Sequence, residues 1–208
     1  MKILPYGEGA LFVDLEIDDA PDRTERTQMI ARALRRRLTG TDIVVGAGNF
    51  AIIGISAWDD LDGVIADAWH GAVADDFPPT HHVFRTIYDG VDLDDVARRT
   101  GLSRADVIAL HAGRDYDVDL IGFLPGFAYL SPLDPRLVVA RRPAPRPRVP
   151  ARSVGIAGPY TGVYPSIAPG GWHLIGRVVD VDLFDPSRRP PSLFEPGDTV
   201  RFVPYQPD

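Results

Sequence analysis

The chain has 208 residues, 45% of them hydrophobic, with 29 Asp+Glu against 22 Lys+Arg, a formal charge of −7 and no Cys. That length suits one large domain or two small ones with a real core, and the missing Cys excludes disulfides, Cys-based zinc or iron–sulfur sites and thiol nucleophiles. Lys2 is the single lysine, so a Walker-A phosphate loop or a Schiff-base lysine has no candidate in the body of the chain.

In chain order, Met1-Lys2-Ile3-Leu4-Pro5 lacks the apolar stretch of a signal peptide, and no apolar run approaches the ~18 residues of a membrane span, so a cytoplasmic location is expected. Ala10–Leu15 reads as a strand. Residues 22–38 read as a helix, with Met29, Ala33 and Leu34 near one face and Arg32, Arg35, Arg36 and Arg37 mostly elsewhere. Thr41–Val45 and Phe50–Ser56 are apolar, β-branched runs joined by Gly46-Ala47-Gly48-Asn49, a hairpin-like link. Residues 59–76 give a second helix with Leu61, Ile65, Ala68, Trp69 and Ala72 inward. A β-α-β-β-α order predicts a small α/β sandwich over residues 1–79. Phe77-Pro78-Pro79-Thr80 is the expected domain boundary, because paired prolines stop helices and stiffen linkers.

A strand follows at His82–Tyr88 and a short helix at Asp92–Arg99, ended by Gly101. Ser103-Arg104-Ala105-Asp106 resembles a capping box opening a helix through Val107, Ile108, Leu110 and His111. From Tyr116 onward short strands alternate with Gly/Pro turns: Tyr116–Ile121, Ser153–Ala157, His173–Ile175 and, after Gly197-Asp198, Thr199–Val203. Five prolines lie in residues 1–131 and fifteen in 132–208. Residues 80–208 therefore read as a mostly β, barrel-like domain with two early helices, and the fold class is α+β.

Charge is segregated. Pro135–Val179 holds no Asp or Glu but seven arginines, Arg136, Arg141, Arg142, Arg146, Arg148, Arg152 and Arg177; the remainder, with 15 basic residues and all 29 acids, carries −14. The acidic remainder opposes binding of a long polyanion, so a small anionic ligand or an acidic partner surface suits the basic segment better than nucleic acid. A solvated rim accounts for any single Arg equally well.

Three stretches carry candidate chemistry. In Gly122-Phe123-Leu124-Pro125-Gly126-Phe127-Ala128-Tyr129-Leu130, two glycines permit a tight turn, Pro125 fixes φ, and three aromatics either line a concave wall or plug a barrel end. Thr161-Gly162-Val163-Tyr164-Pro165 followed by Ala168-Pro169-Gly170-Gly171-Trp172 offers backbone N–H groups beside an indole, or a Trp-anchored hairpin. Pro145-Arg146-Pro147-Arg148-Val149-Pro150 is held extended, so Arg146 and Arg148 share a side and suit a carboxylate or phosphate, or simply a charged solvent face. Of five His none forms a metal-ligand pattern; His111, near a helix end, reads as a capping or core residue or as a polar orienter.

On these stretches the chain resembles the B-subunit family of bacterial 5-oxoprolinase, also described as the Kip inhibitor or allophanate hydrolase subunit 1 family. The matching elements are Tyr88 with Asp92-Leu93, Leu110-His111 followed by Tyr116, Gly122-Phe123 through Pro125-Gly126-Phe127 to Tyr129-Leu130, and Pro145-Arg146 with Val149-Pro150-Ala151 and Ser153-Val154. They continue through Thr161-Gly162 with Tyr164-Pro165, Pro169-Gly170-Gly171-Trp172 with Ile175-Gly176-Arg177, and Pro196-Gly197-Asp198. The resemblance covers residues 82–203 closely and 1–79 in outline. The sequence departs from the pattern at Arg152, where the family has Gly, at Tyr160, where it has Gln, and over Val45–Phe50.

The resemblance implies a C-terminal cyclophilin-like β-barrel and likeness to part of the carboxyltransferase domain of biotin-dependent urea carboxylase. It implies a heteromer with a protein like the family's C subunit and possibly with one like its A subunit. Together these open 5-oxoproline to glutamate with ATP hydrolysis, the B–C pair phosphorylating the lactam. Alternatives within the resemblance are inhibition of a sensor histidine kinase without catalysis, and action on another amide or urea-like substrate.

Under the first reading Arg146 or Arg148 meets an anionic group, and Pro125-Gly126 and Gly170-Gly171 supply backbone donors. Phe127 and Trp172 wall the site, His111 or Tyr164 orients a polar group, and Phe123, Ser153 and Pro169 complete the binding set. ATP, with Mg, is expected to be held mostly by the partner. No metal site, nucleic acid or membrane partner is expected.

Overall fold

Alternation of apolar and polar residues turns one face of a four-stranded antiparallel sheet toward two helices in the first of two units, Met1–Pro79. The computed structural model describes residues 1–17, 23–55, 61–71 and 79–207. This unit runs β1 (Lys2–Pro5), β2 (Ala10–Asp14), α1 (Arg23–Arg37), β3 (Asp42–Val45), β4 (Asn49–Ile53) and α2 (Leu61–Gly71), with sheet order β1-β2-β4-β3. Its core joins Leu11, Val13, Ile43, Phe50 and Ile52 of the sheet to Ile30, Ala31 and Leu34 of α1 and Leu61, Ile65 and Ala68 of α2. The Gly46–Asn49 link is a hairpin, closed by the Gly46 N–H on the Asn49 carbonyl at 2.8 Å.

Two readings shift. β1 is an additional edge strand, short, mostly exposed and ended by Pro5, which left little apolar pattern to detect. The buried residues of α1 are Thr27, Gln28, Ile30, Ala31 and Leu34, while Met29 and Ala33 are half-buried. Thr27 tolerates burial because its hydroxyl donates to the Arg23 carbonyl at 2.7 Å. Residue 22, residue 56, residues 59–60 and 72–76, and Phe77-Pro78 of the linker lie outside the described residues.

The second unit, Thr80–Asp208, runs β5 (His81–Ile87), α3 (Leu93–Thr100), α4 (Arg104–Ala112), β6 (Asp115–Ile121), β7 (Ala128–Ser131), β8 (Arg146–Val149), β9 (Ser153–Ala157), β10 (Tyr160–Val163), β11 (Ala168–Gly170), β12 (His173–Val178) and β13 (Thr199–Pro204). Seven strands close a barrel in the order β10-β7-β6-β13-β5-β12-β9, with β13 parallel to β5; β8 and β11 form a separate two-stranded sheet. An α+β fold with a closed barrel is therefore what the chain adopts.

The predicted helix signals act as read. Gly101 (φ 71°) caps α3 with its N–H on the Ala97 carbonyl, and Ser103 and Asp106 form a reciprocal capping box on α4 at 3.1 and 3.2 Å. The barrel is filled by Tyr116, Val118, Leu130, Val154, Ile156, Ile175, Val200 and Phe202, against which Leu93, Val96 and Val107 of the helices pack. Among the described residues, no helix is long and apolar enough to cross a membrane.

Candidate functional site

The three stretches singled out in the sequence meet on one side of the barrel. In Gly122–Phe127 the chain folds back on itself, with Phe127 N–H on the Leu124 carbonyl (2.9 Å) and Gly122 N–H on the Phe127 carbonyl (3.1 Å). Gly126 has φ 79°, and a Cβ there would lie 2.8 Å from the Leu183 carbonyl and from Phe184 Cβ, so only glycine fits. Phe123 adopts φ 72°, an uncommon conformation for a bulky residue, and remains 57% exposed.

Beneath it the rings pack edge to face. Phe127 lies 5.4 Å from Tyr164, 5.4 Å from Trp172 and 5.2 Å from Tyr129, and Phe123 stands 5.4 Å from Phe127. Tyr164 crosses the backbone at Gly170, where a Cβ would sit 2.8 Å from Tyr164 Cζ. Burial raises the Tyr164 phenol above its ordinary pKa; the Trp172 backbone N–H bonded to it and the charges of Arg141 and Arg146 oppose that rise.

A cationic cluster adjoins this turn. Arg146 pairs with Gly170 in the β8–β11 register, and the Arg142 N–H donates to the Gly171 carbonyl at 2.8 Å. Both guanidinium groups converge on buried Asp92, the residue before α3: Arg146 Nη2 at 2.7 Å and Arg142 Nη1 at 3.1 Å reach Oδ1, while Oδ2 accepts from the Leu174 N–H at 2.8 Å. Two positive charges thus share one carboxylate. Arg142 Nε and Arg146 Nη1 are buried without a hydrogen-bond partner.

The predicted residues fall into distinct places. Gly170 and Gly171 stand beside Arg146 and Arg142, with Pro169 exposed on β11; Phe123 and Pro125 are exposed on the loop, and Arg148 is exposed on β8. Phe127, Tyr164 and Trp172 are nearly fully covered. The structure therefore corrects Phe127 and Trp172 from ligand walls to the packed layer that carries Phe123. Ser153 is buried in β9, its carbonyl accepting the Tyr164 N–H at 3.0 Å.

His111 belongs to the barrel core and not to this surface. Thr161 Oγ1 donates to the Gly155 carbonyl (3.1 Å), so it accepts from His111 Nε2–H (2.8 Å), and His111 Nδ1 accepts from the Tyr88 hydroxyl (2.8 Å). Burial lowers the His111 pKa to about 3 and raises that of Tyr88. Both ring nitrogens are occupied and the side chain is fully enclosed, which removes it as a polar orienter. Arg142 and Asp92 join the site in the structure: the sequence placed Arg142 only among the seven arginines, and Asp92 only at a helix start and in the matched Asp92-Leu93 pair.

The acid-free segment loses most of its charge in three dimensions. Arg136 pairs with Asp134, Arg142 and Arg146 with Asp92, Arg152 with Asp182 and Arg177 with Asp89. Arg152, where the family pattern has Gly, occupies φ 67°, which explains the glycine preference at that position. Elsewhere in the unit, a cleft of about 350 Å³ is lined by residues 81–85, 179–181 and Leu193, and contains none of the predicted site residues.

The chain as a whole is similar to known proteins. The carboxyltransferase domain, subdomain C and D, matches residues 1–194. The 5-oxoprolinase B subunit of Haemophilus influenzae is 35% identical over 208 residues, covering 98% of this chain and 97% of the relative. The 5-oxoprolinase B subunit of Escherichia coli O157:H7 is 54% identical over 117 residues, 56% of this chain; here the chain spans about half of the relative, 53%. The crystal structure of TTHA0988 superposes with a TM-score of 0.81 at 35% identity, covering 96% of this chain and 40% of that one. The chain belongs to the carboxyltransferase subdomain C and D family and, within it, to the 5-oxoprolinase B-subunit family.

Proposed function

We propose that the chain is the B subunit of an ATP-dependent 5-oxoprolinase, acting with a partner like the C subunit to activate the lactam and with one like the A subunit for its hydrolysis. The observation that carries the reading is the contiguity of the Arg142–Asp92–Arg146 cluster with the Gly170-Gly171 turn and the Phe123 loop, in a chain of this family. A lactam is resonance-stabilised, so opening it at neutral pH requires an activated carbonyl. Attack of the lactam oxygen on the γ-phosphorus, with ADP leaving, supplies that activation, and negative charge then builds on the transferring oxygens. Positioned guanidinium groups anchor an anionic substrate for that step, and backbone N–H donors stabilise the building charge best when fixed in advance.

With one lysine, at position 2, the nucleotide and its Mg are assigned mainly to the partner. The site is an open face with one exposed ring, Phe123, which suits a site completed by a second protein of the complex. The test is ATP-dependent consumption of 5-oxoproline by the chain reconstituted with proteins like the A and C subunits. Turnover that falls in Arg146→Ala supports the reading. Absence of turnover, with recovery of a histidine kinase and no protein like the C subunit on co-purification, overturns it, as does biotin-dependent carboxylation of a urea-like amide instead.

A further inference from the structure

We propose that Arg142 and Arg146, held as one unit by Asp92, form the receptor for the carboxylate of a small monoanionic substrate. This rests on the function proposed above and names the part of the substrate that this face reads.

The first support is charge. Asp92 neutralises one of the two guanidinium groups and leaves the pair with net positive charge, which attracts a carboxylate. The second is donor capacity. Asp92 engages one nitrogen of each guanidinium and a second, Arg142 Nε and Arg146 Nη1, is buried, so the third nitrogen of each head is the donor left for a carboxylate. Access is the third, since Arg142 and Arg146 remain 31% and 23% exposed while Asp92 is 5% exposed; the cations face outward and the anion lies behind them.

Fixation is the fourth. Arg142 is tied through its backbone to Gly171, Arg146 through strand pairing to Gly170, and Asp92 receives the Leu174 N–H and donates its own N–H to the Leu174 carbonyl at 2.9 Å. Little side-chain freedom is left for a ligand to remove, which favours binding. Arg148, on the same strand but exposed, lacks this anchoring.

The experiment is equilibrium binding to the full chain of 5-oxo-L-proline, of 2-pyrrolidinone (the same ring without the carboxylate) and of inorganic phosphate. Expected is binding of 5-oxo-L-proline about tenfold or more tighter than 2-pyrrolidinone. Arg142→Gln should weaken the acid by about tenfold and leave the neutral lactam unchanged, and Arg142→Lys, which keeps the charge, should fall between. Amide NMR spectra confirm that each variant is folded.

Equal affinity for acid and neutral lactam, no binding of either, an unchanged affinity in a folded Arg142→Gln protein, or preference for phosphate each overturns the proposal. Failure of the function reading is separable. A reconstituted complex that consumes both lactams with equal kcat/KM keeps the function and removes the carboxylate receptor, whereas a chain that binds the acid selectively without ATP-dependent turnover does the reverse.

Discussion

Replacing Asp92 by Ala leaves two guanidinium groups sharing no counter-ion and the Leu174 N–H without its acceptor. Removing one partner of a buried ion pair costs about 3–5 kcal/mol, and an orphaned buried N–H about 1–3 kcal/mol. Arg142 and Arg146 are partly exposed, at 31% and 23%, so water relieves part of the first penalty. The expected loss is about 3 kcal/mol for the second unit. By contrast Asp95→Ala breaks exposed pairs with Arg98 and Arg99 and should cost far less. Trp58, Trp69 and Trp172 are the three tryptophans, so Trp58→Phe with Trp69→Phe leaves Trp172 as the fluorescence probe of the second unit in urea unfolding. A loss below about 1 kcal/mol for Asp92→Ala refutes the electrostatic account. So does an undiminished loss in an Arg142→Met, Arg146→Met background, where the coupling should have gone.

Gly170→Ala drives a methyl into Tyr164, within 2.8 Å of Cζ, and should cost about 1–3 kcal/mol with a shift in Trp172 emission, read by thermal melting. Arg152→Gly removes a residue held at φ 67° and also its 2.8 Å pair with Asp182; in 1 M salt, where that exposed pair is screened, the variant should be more stable by up to about 1 kcal/mol in urea unfolding. His111 has a folded pKa of about 3 against an ordinary 6.5. The unfolded chain therefore takes up the proton first, and stability present above pH 6.5 is lost as pH falls toward 3, by about 1.4 kcal/mol per unit. Comparison of unfolding from pH 7 to 4 with His111→Gln should show a shallower slope in the variant, and imidazole ¹⁵N shifts should report a neutral Nε2–H ring at pH 5.

The sequence made legible whatever depends on local pattern. The Ser103–Asp106 capping box, the Gly101 stop and the strand Ser153–Ala157 follow from side chains acting within a few residues. β1 was invisible because an exposed four-residue edge strand has no buried face to impose alternation. For the α1 face, polar Thr27 and Gln28 take two of the five buried positions among the described residues, and the remaining apolar side chains then fit more than one stripe.

In the site, the stretches themselves were readable but the direction of their side chains was not. Phe127, Tyr164 and Trp172 are chemically as suited to a wall as to a core, and only their 5.4 Å ring spacings decide that they pack on each other. His111 presents the same difficulty. Its partners Tyr88 and Thr161 lie 23 and 50 residues away, so nothing local tells an enclosed imidazole from a working one.

Arg142 and Arg146 meet Asp92 across 50 and 54 residues, and that separation determines what the basic segment can do. Taken along the chain, seven arginines without an acid suit a small anionic ligand or an acidic partner surface. Folding brings acids from outside the segment against five of them, and next to the Gly170-Gly171 turn two fixed guanidinium groups share one carboxylate. The barrel cannot offer an alternative receptor, since its interior is occupied by Tyr116, Phe202 and the neutral His111, whose ring lies 4.6 Å from that of Phe202. An anion meeting this face under the proposal above finds two geometrically constrained guanidinium groups. Selectivity should follow from the orientation of the ligand's carboxylate, and it should respond to Arg142 far more than to the exposed Arg148.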